Sequence, residues 1–449
     1  MPDTTTGLAR ELGSFRQGMI AIGGIVGVGL FLGSGATIGL AGPGVILAYL
    51  IGALVAVALG LVLAEMAIVH PVEGGFAAYA DIYLGPWAGF ATRLSYWFGE
   101  MFAIGAMVTA VSVYCAFWLP DSPRWIFTAV AAAIAVGLNA LNVGRFGALE
   151  SAFSVLKVGA IVAFVLLGAV VASGHGTENL LGHGGLLPNG AGGVVLAFTL
   201  VLASFLGVEA IAVTAAEAER PEHTVPRALL GLVGTLVVLY IASLLVIVSV
   251  MPWTEVADTG GSVTGSPFVQ VFSEFGVPYS AGLMNAVVVS AALTGAVSHL
   301  YLASRMLHSM AKQGFAPRSL AVVDRRGVPM RALAGSTLGL VLAGMFATLG
   351  ERAFLPLYGT GVVACLSIWV MIFVCHARFR QRLPVERWRA LPVRVPGHPW
   401  PSIVAVGIIV FALGVTPWVA GLRYTVPTFI AWLFAIAIVY RLRTRGQGS

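Results

Sequence analysis

Charge is what this chain has least of. Only 10% of its 449 residues are Asp, Glu, Lys or Arg, against roughly 25% in a soluble globular domain. Lysine is almost missing: of 25 basic residues only Lys157 and Lys312 are lysine. Cysteine is limited to Cys115, Cys365 and Cys375, which give neither a disulfide framework nor a metal-ligand spacing. No His/Asp/Glu cluster, metal motif or nucleotide loop stands out, so nothing supports an enzyme or a cofactor. No short repeated filter loop supports a channel. Long polar linkers are absent too. The positive balance of +6 with pI near 9.4 is spread over many short loops without one basic domain, which argues against nucleic acid as a partner. The polar N-terminus and long first apolar run do not read as a cleavable signal.

What is abundant is apolar sequence: 58% hydrophobic, mean hydropathy +0.94. Continuous apolar runs near 20 residues predict spanning helices, hence an all-α integral membrane protein. Twelve are expected, at about 17–39, 43–66, 88–118, 123–142, 151–173, 192–216, 228–251, 279–308, 332–350, 353–376, 401–420 and 424–442. An even count puts both termini on one side. Loops on that side carry Arg10, Arg16, Arg145, Arg220, Arg227, the runs Arg305 to Arg331 and Arg378 to Arg394, and Arg441, Arg443 and Arg445. The opposite side has Arg124, Arg352 and Arg423. The positive-inside rule then predicts cytoplasmic termini in a multi-pass protein of the cytoplasmic membrane.

Glycine breaks two of these segments in matching places. Segment 1 contains six glycines between Gly23 and Gly35; segment 6 contains Ala203-Ser204-Phe205-Leu206-Gly207-Val208-Glu209. Each interior glycine costs a helix about 1 kcal/mol, so both read as helices meant to unwind. Unwound backbone at membrane depth is tolerated only in protein or along a cavity. Paired breaks in two halves point to a transporter's binding site. At the first break, backbone N–H groups of Val28, Gly29 and Leu30, beside Gly27, suit a carboxylate. At the second, carbonyls near Ala203, Ser204 and Leu206, helped by Ile25, suit an ammonium. Close packing of small residues is the plainer alternative for the glycines.

The runs Gly27-Val28-Gly29-Leu30-Phe31-Leu32-Gly33-Ser34-Gly35, Ala41-Gly42-Pro43-Gly44, Ala64-Glu65-Met66, Pro71-Val72-Glu73-Gly74-Gly75-Phe76, Ala215-Ala216-Glu217-Ala218-Glu219-Arg220-Pro221, Val225-Pro226-Arg227 and Gly314-Phe315-Ala316-Pro317 together resemble the amino acid–polyamine–organocation superfamily, in its bacterial amino acid permease branch. The resemblance covers essentially the whole chain. It implies the five-plus-five inverted-repeat fold of leucine-type transporters. The division would be a tail at 1–16, a first repeat at 17–173, a second at 191–376, two appended helices at 401–443 and a tail at 444–449. It also implies import of an amino acid coupled to a proton, with an exchanger or polyamine carrier of the same fold as the alternative.

The resemblance places Phe205 over the substrate as a lid; an ordinary core phenylalanine is the alternative. Ala203 stands where basic-amino-acid exchangers of the superfamily carry tryptophan, which implies a roomier or differently lidded pocket. Val28 stands where relatives often have a hydroxyl. Lys157 stands where proton-coupled relatives put a lysine in place of a coupling sodium ion, against segments 1 and 8. An ammonium inside a span is expensive and reads as functional, and lysine can shed its proton where arginine cannot; a snorkelling residue near the inner end is the alternative. Aligning Tyr96-Trp97 puts Glu100 beside the pocket, sharing a wall with Gly99, Ile104 and Met107. Glu100 would pair with a substrate cation, take up a proton, or bond to a neighbouring helix. The apolar remainder of that wall favours neutral, fairly apolar amino acids. Glu209, which recurs in the family, reads as a structural or proton-linked carboxyl. His299 aligns roughly with a gating aromatic but reads first as a satisfied core histidine. His175 and His183 lack the further ligands a metal needs.

Overall fold

The computed structural model describes residues 18–446 apart from 20, 21, 23, 24, 32, 71, 73, 142, 176, 214–220, 260–265, 275–278, 347–350 and 420. Gly23, Gly24 and Leu32 of the first break, Pro71 and Glu73, the run at 215–220, Arg10, Arg16 and nearly all of both tails lie outside these residues.

The described chain is helical. In order come α1 (Val28–Phe31), α2 (Gly33–Ala41), α3 (Val45–Val69), α4 (Phe76–Leu84), α5 (Pro86–Cys115), α6 (Arg124–Asn139), α7 (Val143–His175), α8 (Gly190–Ala203) and α9 (Ala210–Val213). Then follow α10 (Pro221–Val250), α11 (Trp253–Thr259), α12 (Pro267–Glu274), α13 (Ser280–Lys312), α14 (Met330–Ser336), α15 (Leu338–Phe346), α16 (Glu351–Arg382), α17 (Val385–Arg389), α18 (Trp400–Val415) and α19 (Thr425–Gly446). Among the described residues eight helical stretches are long and apolar enough to cross a bilayer, and three shorter apolar helices accompany them. One of the eight, Gly33–Val69, joins the end of the expected first span to the second through the 3-10 turn Gly42–Gly44.

Why the ends fall where they do follows from local chemistry. Gly42 sits at φ +59 and Pro43 follows it, so α2 stops by a left-handed residue and the 3-10 turn that leads into α3 carries a proline that needs no amide partner. Helix α8 ends at Ala203 and helix resumes at Ala210; between them Gly207 takes φ +104, a conformation open to glycine and costly for other residues. Before α1, Val26 and Gly27 form a bend. Helix α7 begins at Val143, eight residues before the expected boundary.

Helix α5 is the axis of the packing. Helices α13, α16 and α15 lie along it, α10 lies along α3, and α8 along α2. Helices α5 and α16 are the most enclosed, whereas α7 and α19 turn most of their surface outward. The outward residues are apolar: Leu166, Val170 and Phe434 are all well exposed. An aliphatic surface of this kind is stable in lipid and not in water.

Candidate functional site: a closed cavity between the two helix breaks

The two breaks face one another and are tied by hydroxyls from other helices. Ser204 Oγ lies 2.9 Å from Tyr49 Oη and donates to Gly29 O at 3.1 Å. Tyr240 Oη donates to Ser204 O at 3.0 Å and to Ile25 O at 3.3 Å. Ser266 Oγ donates to Phe31 O at 2.8 Å. These carbonyls belong to backbone in or beside the breaks. In an apolar interior each unpaired polar group costs several kcal/mol, and the hydroxyls of Ser204, Tyr240 and Ser266 meet that demand, with Tyr49 of α3 bonded to the Ser204 hydroxyl.

The ammonium cradle expected of segment 6 is therefore already engaged in part. Ser204 O holds the Tyr240 hydroxyl, and Ala203 O accepts the Leu206 amide at 3.2 Å. The same applies on segment 1, where Leu30 N–H donates to Gly27 O at 3.2 Å.

Beside this junction lies a cavity of about 30 Å3, lined by Ile25 and Gly29, by Ala203, Leu206 and Glu209, by Glu100, Ala103 and Met107 of α5, by His299 of α13, and by Tyr358, Gly361, Val362 and Cys365 of α16. A water needs roughly 10–15 Å3, and ligand pockets run to about 300–1,000 Å3. The cavity is thus closed, with room for water but not for an amino acid. Ala203 shares the wall of this cavity with Tyr358 and Cys365 of α16, a helix the sequence reading left out of the site.

Two carboxyls and an imidazole line this small space. Glu100 Oε2 is 2.7 Å from His299 Nδ1, so of the three roles open to Glu100 the bond to a neighbouring helix is the one the geometry realises. His299 is that partner. Glu209 Oε2 accepts the Gly207 amide at 3.0 Å and Trp369 Nε1–H at 2.9 Å. The carboxyl thereby pins the left-handed Gly207 and anchors the second break to α16.

Other expected site residues stand elsewhere. Phe205 is fully buried between Tyr49 and Tyr240, with ring centroids at 6.0 and 5.4 Å, and is not among the lining residues. Gly99 marks a close helix crossing, because a Cβ there would press on Ala364 and the Gly361 carbonyl. Ile104 is buried against Gly339 of α15. Gly27 is buried and serves through its carbonyl; the side chain of Val28 lies outside the described residues.

Lys157 does not snorkel. It is fully buried, fourteen residues into α7, which at 1.5 Å per residue is about 21 Å from the helix start. Its Nζ donates to Thr294 Oγ1 of α13 at 2.7 Å. Two turns earlier, Glu150 accepts the Ser298 hydroxyl at 3.1 Å, and it too is buried. Lys157 and Glu150 are seven residues apart on α7, Thr294 and Ser298 four apart on α13, so an acid and a base share one helix face against a hydroxyl ladder. Ser154 of the same face donates to Met19 O at 2.7 Å, which ties α7 to segment 1. Glu150 was missed; its seven-residue spacing from Lys157 was the available signal. Among the described residues no cluster of three or more His, Cys, Asp or Glu is placed to hold a metal.

A bundle of apolar helices with outward aliphatic faces, enclosing a small cavity with Glu100, His299 and Glu209 on its wall where two helices break, is an integral membrane protein built as a carrier rather than an enzyme. The chain belongs to the amino acid permease family, whose model matches residues 17–444. It is 37% identical over 450 residues to the aromatic amino acid transport protein AroP of Escherichia coli K12, with 98% of this chain and 96% of that protein covered. The corresponding AroP of Salmonella typhimurium is 36% identical over 443 residues, covering 96% and 95%. An uncharacterized amino acid permease of Bacillus subtilis, YtnA, is 34% identical over 443 residues, covering 96% and 94%.

Proposed function

We propose that this permease imports neutral L-amino acids, aromatic ones foremost, across the cytoplasmic membrane together with protons, by alternating access around the cavity between the two breaks. One observation carries the reading: a small cavity walled in part by Glu100, His299 and Glu209 lies at the meeting of two interrupted helices in an otherwise apolar bundle. The names of the AroP relatives direct the choice of substrate. The pairing of Glu100 with His299 supports it, since a carboxyl already engaged by an imidazole is a poor counter-ion for a lysine-type side chain.

The architecture behind the reading is twelve spans with both termini cytoplasmic, segments 1–5 and 6–10 being inverted repeats. Its support lies in which helices touch. Segment 1 packs on segment 6 (α2 on α8), 2 on 7 (α3 on α10) and 3 on 8 (α5 on α13). A two-fold axis brings equivalent elements together in this manner. Tyr49 and Tyr240 then occupy equivalent segments and brace the breaks from both sides.

In the mechanism, the substrate carboxylate docks at the amides of Val28 and Gly29, and its ammonium takes the segment 6 carbonyls once Tyr240 or Leu206 yields them. The side chain displaces the contents of the cavity between Ala203, Met107 and Tyr358. Opening costs the Ser204 and Tyr240 bonds, and substrate contacts replace them. Lys157 loses and regains its proton against Thr294 and Glu150, coupling proton to substrate, with Glu209 as a further proton-linked carboxyl beside the break.

The test is uptake of a labelled amino acid panel into liposomes, with and without an imposed pH gradient. Phenylalanine, tyrosine and tryptophan are expected to accumulate only when the gradient is inward. Accumulation of lysine, or exchange indifferent to pH, would replace this reading.

A further inference from the structure

Two recesses adjoin at the loop before α18, one against the end of α16 and the other between the middle of α3 and α18. One is polar, about 700 Å3, lined among others by Arg380, Trp388, Arg394 and His398. The other is almost purely apolar, about 540 Å3, lined by Leu54, Val57 and Leu61 of α3 and by Trp400, Val404 and Ile408 of α18. Val395, Pro396 and Gly397 belong to both walls, so a polar and an apolar recess adjoin across these three residues. The apolar part runs along eight residues of α3 and nine of α18, about 10–12 Å at 1.5 Å per residue. It faces outward: Leu54 and Trp400 are each 69% exposed.

The polar part is built rather than incidental. Arg380 is locked by Glu65 through Nε to Oε2 at 2.8 Å and Nη2 to Oε1 at 2.5 Å. Its guanidinium lies over the Trp388 ring at 4.6 Å, and Arg389 approaches the same ring at 5.7 Å. Glu65 neutralises Arg380, but among the described residues Arg394 has no carboxylate partner. His398 presents a buried Nδ1 with no hydrogen-bond partner, and its ring meets that of His376 at 5.1 Å. Burial, with His376 and Arg380 nearby, lowers the His398 pKa, against an opposing pull from Glu65. The stretch 378–394 carries six arginines and one glutamate.

We infer that this double recess is a binding site for one anionic phospholipid, its phosphate against Arg394 and His398 and one acyl chain in the groove between α3 and α18. Charge selects the occupant. A neutral lipid would leave Arg394 unmatched, and a free anion would leave the groove exposed. Basic pockets beside spanning helices bind anionic head groups in this way, and tryptophans such as Trp388 and Trp400 sit at such interfaces. The lipid would brace the loop that closes over Glu65, and so the end of α16, whose other half lines the transport cavity.

Delipidated protein, offered phosphatidylglycerol or phosphatidylcholine in mixed micelles, would be weighed by native mass spectrometry. Phosphatidylglycerol should be retained preferentially. Arg394→Gln should weaken that retention about fivefold, the worth of one arginine at a charged surface. Val57→Trp, which fills the groove from its outer face, should abolish it with the head-group pocket intact. Melting curves would check that both variants fold. Equal retention of the two lipids, or unchanged retention in both folded variants, overturns the inference. So does competition by glycerol phosphate as strong as by the lipid, which would mark an anion site without a chain. A lipid-independent dimer covering the groove would assign it to a second copy of the chain instead.

Discussion

Glu65 and Glu100 are two buried carboxylates, each 2.7 Å from a histidine, in surroundings that give them opposite duties. Glu65 on α3 receives His376 and both arms of Arg380 from α16, and the Val395 amide at 2.5 Å from the loop. Two distant segments converge on it, α16 and the loop before α18, and Glu65 itself lines neither recess beside that loop. Glu100 on α5 meets His299 of α13 at the wall of a cavity. A carboxylate encased by several donors is a clamp: the charge is compensated in place and moving any partner strands the rest. A carboxylate with a titratable partner beside open space can change partner or protonation as the space fills. The pair geometry is the same; the difference is what else touches the acid.

The largest effect should come from breaking the clamp. Glu65→Ala strands Arg380, His376 and the Val395 amide, and removing one side of a buried pair costs about 3–5 kcal/mol. The purified protein should lose folded yield or melt far below wild type, while Glu100→Ala should stay folded. Similar melting curves for the two would erase the distinction between clamp and cavity wall.

Gly29→Val attacks the cavity without touching the clamp. A Cβ at residue 29 would sit 3.0 Å from Tyr358 Oη and 3.1 Å from Ser204 Cα, and a branched side chain adds bulk where substrate must enter. Melting should shift modestly while substrate binding, read by scintillation proximity, disappears. Full affinity in a folded variant would remove the junction of the breaks from the substrate path.

Lys157→Arg fixes a charge that cannot cycle. Uptake driven by a pH gradient should fail, while exchange of internal for external substrate persists. Normal gradient-driven accumulation would move coupling to Glu209 or Glu100. Because Glu150 shares the face, Glu150→Gln should impair coupling in the same direction, more weakly.

The smallest change expected is in Glu100→Gln, which keeps a hydrogen bond to His299. Stability should fall by no more than about 1–2 kcal/mol, aromatic substrates should still bind, and the pH dependence of uptake should move. If lysine or ornithine competes well in the wild type and only that competition collapses in the variant, Glu100 is a substrate counter-ion and the cavity belongs to a cationic amino acid carrier.

Much of this protein is local information. Hydropathy over some twenty residues identifies a membrane bundle without any partner, because the bilayer is the partner. The glycines around 23–35 and at Gly207 announce where helix is weakened, because backbone entropy is a property of single residues; Gly29, Gly33 and Gly35 stay helical, and Gly207 takes φ > 0. A lysine at position 157 inside an apolar run announces a charge that must find company. The motif runs identify the family. What only the tertiary structure decided is which polar groups meet. Ser204 finds Tyr49 at a separation of 155 residues, Glu100 finds His299 at 199, and Glu65 finds the Val395 amide at 330. No periodicity encodes such pairings, since each depends on how helices α3, α5, α13 and α16 cross. The same crossings turn Phe205 away from the cavity, press Gly99 against α16, and let Tyr358 and Cys365 close the site. Composition and pattern set what kind of molecule this is; the packing of helices against one another sets which carboxylate is a clamp and which one faces open space.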